Sequence, residues 1–586
     1  MSDVGGQGGP PRGALAAGQR STRNYLKYDN FQTMDTRLAR EGLPPNRFAW
    51  LENLQIRGDN QIQAVAAPLP GSFSFPGHTA GNRSFYAVGG HDFIIVFCTD
   101  GSLQACDITA VTTTQIAPPG SFSNPDMTGW QGVALLIADP LASYSVWNGS
   151  CMVLGTQHGV SPNIVITNGG TGFSSTPTVS ITGGSGSGAT AIVTGIVNGS
   201  ITQVTLTNGG TGYLPSDVLT VTFGGPGAGA TATAIPWVQF DKNALTQVNP
   251  FPSTIAIFQQ RVWLAANRAL FWSGTQGYDD WNLAHAAGIT NITDDDMVHN
   301  ITALRSLNNF LWIFGDNSIK QIGTITVTGS TTNFTIVTLT SDIGTIFPMT
   351  ILSYQRLVIF ANPVGVFAVL GSSVEKISDE MDGIFELTDF SQPPCAALAD
   401  INNQRCYLLL IKYNDPVAGA RNIMLTFQAR KWFVTSQGSP LSSIGNVVVN
   451  GLLIAYGAVG SGLIQLFAQP NVLVPVKAQT ALAHHGKSEI GKRALRVVFI
   501  GTASGTAGTV TITLDSENLT VNSHGPIATS SGNFFYERLA PFGAPVQQSG
   551  VFLGFTLTGN VDTAFALNSG IIEYQDATVM ASTTGG

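Results

Sequence analysis

Short apolar runs separated by tight polar turns recur along most of this chain, and paired runs read as β-hairpins. Phe93-Ile94-Ile95-Val96-Phe97 leads through Thr99-Asp100-Gly101-Ser102 into 103–108, and 133–137 leads through Asp139-Pro140 into 144–147. The same unit returns at 261–266 with 269–272, at 310–314 with 318–322, and at 356–360 with 364–370. It appears twice more, at 406–410 with 423–427 and at 452–456 with 463–467. One strand of each pair is almost continuously apolar, the pattern of a strand covered on both faces. Radial repetition of small antiparallel sheets, a β-propeller, satisfies that pattern and leaves few exposed edges. Six or seven blades would both fit, and a set of ordinary β-sandwiches is the competing arrangement.

Two segments break the series. Thr167-Asn168-Gly169-Gly170-Thr171-Gly172-Phe173 recurs as Thr207-Asn208-Gly209-Gly210-Thr211-Gly212-Tyr213, and the glycine-rich run at 183–191 recurs at 224–232. This is a tandem duplication of a small all-β module over 161–234, expected to project from the body. After 469 the alternation at 492–501, 508–514, 551–558 and 570–574, with 534–539, predicts a sandwich. Near the start, 50–57 and 61–66 read as another hairpin around Gly58-Asp59-Asn60.

The expected architecture is therefore all-β: an irregular β-propeller of about six blades, an inserted duplicated β module and a C-terminal β-sandwich-like domain. The expected division is a flexible N-terminal arm at 1–25, hairpins and first blades at 26–160, and the glycine-rich insertion at 161–234. The remaining blades follow at 235–469, with a docking domain at 470–586.

Composition narrows the functional classes. Only 11% of residues are charged, against about 25% in typical soluble proteins. Gly, Ser, Thr and Asn take their place, which suits tight turns and also suits a surface covered by neighbours. A net charge of −8 gives no basic excess for holding phosphates, so sequence-specific DNA binding is not expected. A mildly acidic surface is compatible with a channel through which DNA slides. The arm, with Arg12, Arg20, Arg23 and nearby Lys27, is locally basic and reads either as a solvated tail or as a segment ordering against an acidic neighbour. The five cysteines, Cys98, Cys106, Cys151, Cys395 and Cys406, have no metal-ligand spacing. Buried free thiols are expected, although Cys98 and Cys106 could face each other across a hairpin. No apolar secretory core is visible at 1–19, and no apolar run is long enough for a membrane helix.

Candidate chemistry is sparse. Asp294-Asp295-Asp296 is the sharpest acidic run and offers oxygens of the kind Ca²⁺ takes, but it lacks an EF-hand pattern and reads more plainly as a solvated turn. Asp279-Asp280 does not present carboxylates from opposite strands, as glycan hydrolysis would require. His484-His485, if extended, point to opposite faces and cannot chelate one metal. The glycine-rich runs lack the Gly-Lys-Ser/Thr of a phosphate loop. Trp263, Trp272, Trp312 and Trp432 sit in apolar strands and read as core or interface rather than a sugar-stacking surface. No catalytic, cofactor or metal residues are assigned.

The leader Leu43-Pro44-Pro45 with 52–58 (Glu-Asn-Leu-Gln-Ile-Arg-Gly) resembles the opening of the tail nozzle, or tubular tail protein B, family of short-tailed bacteriophages. So do 260–273 with Tyr278-Asp279-Asp280-Trp281-Asn282, 310–323, Gly365-Val366-Phe367 and 374–378. The resemblance covers about two thirds of the chain and rests on packing and turn patterns. It implies a non-enzymatic structural subunit of a virion tail, made in the host cytoplasm. Six copies would form a tube below the portal that retains DNA and conducts it on infection. Implied partners are the adaptor ring, tail fibres or spikes and passing double-stranded DNA, with no cofactor. A receptor-binding fibre or adhesin is the first alternative, and a glycan-cleaving propeller enzyme the second.

Overall fold

The computed structural model describes residues 23–576 apart from 82–85, 88–92, 238–250, 276, 438–439, 485–489, 504–507, 518–521, 530–531 and 540–548. Most of the N-terminal arm read at 1–25 thus lies outside the described residues, as does His485. Strands dominate, and among the described residues no helix is long and apolar enough to cross a membrane.

Six four-stranded antiparallel sheets and one four-stranded segment of a larger sheet follow one another along the chain. Their first strands are Tyr86–Ala87, Asp126–Trp130, Thr254–Phe258, Ile301–Leu307, Leu352–Tyr354, Cys395–Ile401 and Ser443–Val449. Each sheet shares a hydrophobic core with the next. Ile95 and Phe97 of the first blade pack with Leu135 and Trp147 of the second. Trp130 and Leu136 meet Val262 and Phe271 of the third. Trp263 meets Leu311 of the fourth, and Trp312 and Phe314 meet Phe360 of the fifth. One large core then joins the fifth, sixth and seventh blades. The last interface joins Tyr456 and Leu463 of the seventh blade to Ile94 and Val96 of the first. Among the described residues these seven sheets form a β-propeller of seven blades, one more than the count of about six expected from the sequence.

Ring closure uses sequence-distant strands. The seventh blade takes three strands from 443–469, and its outer strand is Ala67–Ser74, paired through Leu463↔Phe73 and Gly462↔Ser74. The hairpins read from sequence are the second and third strands of each blade. The second strand lies between neighbouring blades on both faces and is therefore almost continuously apolar, as in Arg261–Ala266, where all six residues are buried and all but Arg261 are apolar. Outer strands such as Ser373–Lys376 alternate between exposed and half-buried positions.

The C-terminal unit is a two-sheet sandwich that recruits strands from the N-terminal region. One sheet contains Lys492–Ala503, Ala566–Asp576 and Gly532–Leu539 together with Asn24–Tyr28 and the hairpin Leu54–Arg57/Gln61–Ala64. That hairpin, grouped with the first blades on sequence, instead pairs Ile62 with Leu567. The other sheet continues blade six. Phe48–Glu52 pairs in parallel with Lys431–Thr435 at Glu52↔Val434 and antiparallel with Val474–Thr480. Tyr28, Phe499 and Phe555 pack edge to face between the two sheets.

The insertion is a six-stranded sheet in which the two repeats exchange strands. Val165–Thr171 pairs with Ala228–Thr233 of the second repeat, and Ser187–Val197 of the first pairs with Ser200–Thr211. Equivalent positions keep equivalent registers: Gly169↔Ala230 repeats as Gly209↔Ala189. Thr178–Thr182 and Thr220–Gly224 pair with each other, Ser180↔Thr222 beside Ile181↔Val221, which places a pseudo-twofold axis between them. The exchange explains the duplicated motif. A Cβ on Gly227 would lie 2.4 Å from the Phe173 ring, and one on Gly186 the same distance from the Tyr213 ring. Each aromatic of one repeat covers a glycine of the other.

Candidate functional site

The first strands line the propeller axis. Between them lies a cavity of about 400 Å³ walled by Met127, Ile255, Leu304, Met349, Leu352 and Asn446, among others. Its cation, Arg305, is not available to a ligand as a bare charge. Its guanidinium pairs with Asp126 at 2.8 Å and donates to the Leu304 and Pro348 carbonyls at 2.7 and 3.1 Å. Buried Asp126 also accepts from the Thr254 hydroxyl at 2.5 Å and the Ile255 amide at 3.1 Å. This polar chain ties four blades together and holds no nucleophile. A second cavity of about 570 Å³ is bordered by Phe97, Thr99, Ser123, Gln392, Asn422 and Ser442. It offers neutral hydroxyls and amides, with no titratable group.

Several charged side chains lock one face. The turn between the second and third strands of a blade holds the loop by which the chain enters that blade. Asp100 Oδ2 lies 2.7 Å from His78 Nδ1, and Asp316 Oδ2 lies 2.5 Å from His299 Nδ1. Asp139 accepts from the Ser123 and Asn124 amides at 3.0 and 2.7 Å, and Asn362 donates to the Gly344 carbonyl at 3.3 Å. In blade six Lys412 pairs with Asp389 at 2.7 Å. The Asp100–His78–Ser102 group contains the residue types of a hydrolase triad without its geometry. Ser102 Oγ lies 3.1 Å from the same His78 Nδ1 that faces Asp100, and donates to Asp100 Oδ1 at 2.7 Å. A relay needs the carboxylate and the hydroxyl on opposite ring nitrogens. Burial opposes ionisation of Asp100, but hydrogen bonds from Ser102 and His78 hold its carboxyl below the ordinary value.

The residues singled out on sequence are not brought together. Asp294 and Asp296 face a cation of the chain itself: buried Lys320 Nζ lies 2.9 and 3.7 Å from their carboxylates and 2.7 Å from Thr338 Oγ1. Among the described residues no group of three or more His, Cys, Asp or Glu is arranged to hold a metal. Asp280 pairs with His285, whereas Asp279 is buried, accepts from Ser161 Oγ at 2.7 Å, and has its pKa raised by burial. Trp263, Trp272, Trp312 and Trp432 are all buried. Trp263 and Trp312 each donate from Nε1 to the last residue of the preceding strand, the Phe258 and Leu307 carbonyls. Cys98 and Cys106 share a face but stand four residue pairs apart, opposite Ser102 and Ile94, and both are free thiols.

One signal was legible and passed over. The duplicated module, 161–234, holds a single charged residue, Asp217. It exposes Val165, Ile192, Val197, Leu214 and Val218, the last 81% accessible. It is also fixed in place. Leu206 and Gly209 carbonyls accept from Asn148 and Val160, and Gly212 and Tyr213 amides donate to Gln157 and His158. At its base Tyr144, Trp237, Tyr278 and Trp281 form an aromatic cluster, with Trp237 Nε1 donating to the Tyr144 carbonyl at 3.0 Å.

No family model and no curated protein matches the chain. Solved structures that match include one titled "Structure of U3-55K", at 10% identity and a TM-score of 0.33, covering 69% of this chain and 98% of that one. Another is the crystal structure of RRP9 WD40 repeats, at 9% identity and a TM-score of 0.35, covering 69% of this chain and 99% of that one. At these scores the likeness adds nothing to the strand pairing on which the architecture rests. These comparisons return WD40-repeat proteins where the tail-nozzle resemblance called for tail proteins. The nozzle reading is corrected accordingly. With it go the homohexameric tube, the adaptor ring, the fibres or spikes, the DNA conduit and the place in a virion tail. The alternatives, a receptor-binding fibre or a glycan-cleaving enzyme, fit no better. The resemblance was carried by turn and packing patterns that any propeller of short hairpins shares.

Proposed function

We propose that this protein is a non-catalytic scaffold whose task is to be bound by other proteins. The observation that carries the reading is the duplicated module, with its one charge, its exposed aliphatic side chains and its rigid seat on the second blade. Several exposed aliphatic side chains on a rigid support with a single charge favour an interaction site over free surface. The polar groups elsewhere support the same reading, because the charged clusters described above are spent on holding loops and strands. Division into ring, module and sandwich gives such a scaffold three separate surfaces.

The test is sedimentation of an extract from the source cell containing the tagged full chain. The chain is expected well above its own 61.5 kDa mass. Ile192→Lys with Val218→Lys is expected to return it to the single-chain position at unchanged melting temperature. Migration of the unaltered chain as a single molecule would sink the proposal.

A further inference from the structure

Because each entering loop is held by the turn between the second and third strands, the turns between the first and second strands lie on the opposite face, around the channel mouth. In six blades this turn contains two consecutive residues at positive φ. They are Gln131-Gly132, Gln259-Gln260, Asn308-Asn309, Gln355-Arg356, Asn402-Asn403 and Asn450-Gly451. Their φ values run from 46° at Gln131 and Asn402 to 79° at Gly451. The seventh such turn lies outside the described residues. Two-residue hairpins with this backbone favour Asn, Asp and Gly, yet the first position is a carboxamide in all six and is Gln in three. Glutamine lacks the short side chain that makes asparagine tolerant of this conformation, so turn geometry does not explain it.

Some of these amides clasp neighbouring segments. Gln259 donates to the Gly323 carbonyl at 3.1 Å, Asn308 to the Arg356 carbonyl at 2.7 Å, and Asn402 to Gln55 Oε1 at 2.9 Å. That leaves Gln131, Gln260, Asn309, Gln355, Asn403 and Asn450, one per blade. All are exposed, and none has a side-chain hydrogen bond among the described residues. Beside them Val133, Phe310, Val448 and Leu452 are also exposed. Arg305 within the channel and Arg405 beside the sixth turn are paired with Asp126 and Asp400, whereas Arg356, the second residue of the fifth turn, is exposed with no ion pair among the described residues.

We infer that this rim is a docking site for an extended, uncharged polypeptide segment of a partner protein. A carboxamide carries the donor and acceptor of a peptide group, so a ring of them matches main chain that has no partners of its own. Aliphatic and aromatic neighbours supply apolar contact, and with Arg305 and Arg405 paired, Arg356 as a single turn cation leaves little for a phosphate backbone to hold. The rim is a different surface from the duplicated module, and its test is independent of that reading.

The test is selection of random linear peptides displayed on yeast against the full chain. The selected peptides are then measured by titration. Enriched peptides are expected to carry few charges and to bind equally at low and high salt. They should lose at least about tenfold in affinity when Gln131, Gln260 and Gln355 are changed together to Glu. Val364→Glu, an exposed turn position on the opposite face, is expected to leave binding unchanged. Val133→Glu provides a second rim variant should the triple variant misfold. Three results would each overturn the inference: no enriched peptide sensitive to rim variants, selection of charged salt-dependent peptides, or self-association of the chain through the rim.

Discussion

The junction between propeller and sandwich contains a largely buried ion pair, which gives a sharp prediction. Arg421, from the third strand of blade six, donates to both Glu52 oxygens at 2.7 and 3.0 Å and lies 5.4 Å from the Trp50 ring. Ser436 Oγ and Trp50 Nε1 complete the carboxylate's hydrogen bonds at 2.6 and 2.9 Å. Arg421→Met keeps the stem's packing and removes the charge. Stranding one member of a buried pair costs about 3–5 kcal/mol. The Arg421 side chain remains 31% exposed, so solvent screening reduces this to roughly 2–3 kcal/mol. At about 1–3 kcal/mol per molar urea, the midpoint for sandwich unfolding should fall by about 1 M. Trp50 fluorescence and proteolysis of the sandwich should report the same shift. Burial opposes ionisation of Glu52, but the bonds from Arg421, Ser436 and Trp50 leave its pKa lowered. Its contribution is therefore complete above the ordinary carboxylate range and is lost as pH falls through the lowered folded value. The gap between Arg421→Met and the natural protein should close in acid. A double-mutant cycle with Glu52→Gln that gives coupling below about 0.5 kcal/mol, or a gap that widens in acid, would refute the reasoning.

Three further outcomes are expected. Gly186→Ala and Gly227→Ala should each destabilise the module by about 1–3 kcal/mol through overlap with Tyr213 and Phe173. Hydrogen exchange should show similar loss of protection in both variants and little change in the ring. Phe73→Ala, which removes a buried side chain from the strand that closes the ring, should cost about 3–5 kcal/mol. Calorimetry should place that loss in the propeller transition. Burial raises all five thiols, Cys98 and Cys151 to about 11 and Cys106, Cys395 and Cys406 to about 12. A thiol-specific disulfide reagent at mildly alkaline pH should therefore react rapidly only after unfolding, and rapid reaction of several thiols in the native protein would contradict the packing.

The seven hairpins, the tandem duplication and the terminal sandwich strands were legible because each is a local pattern. A strand enclosed by two blades must be apolar at nearly every position, and a repeated aromatic-and-glycine motif declares itself by spacing. Three things were decided only in the tertiary structure. Leu54–Ala64 carries the alternation of any half-buried hairpin, so nothing local shows that its partner is Ala566–Asp576. Two similar repeats can pair within themselves or exchange strands, and only packing of Phe173 on Gly227 and Tyr213 on Gly186 favours exchange. The first strands are short and mixed in character because one face meets the channel, so their turns never stood out. The ring of carboxamides exists only once the blades are set around one axis. Sequence by itself determined which segments are strands and which of them lie between layers, because burial writes its requirement into consecutive residues. Which distant strands pair, and which exposed side chains gather into one surface, was left to the tertiary structure, because a strand's hydrogen-bonding edges are backbone groups that every residue but proline carries alike.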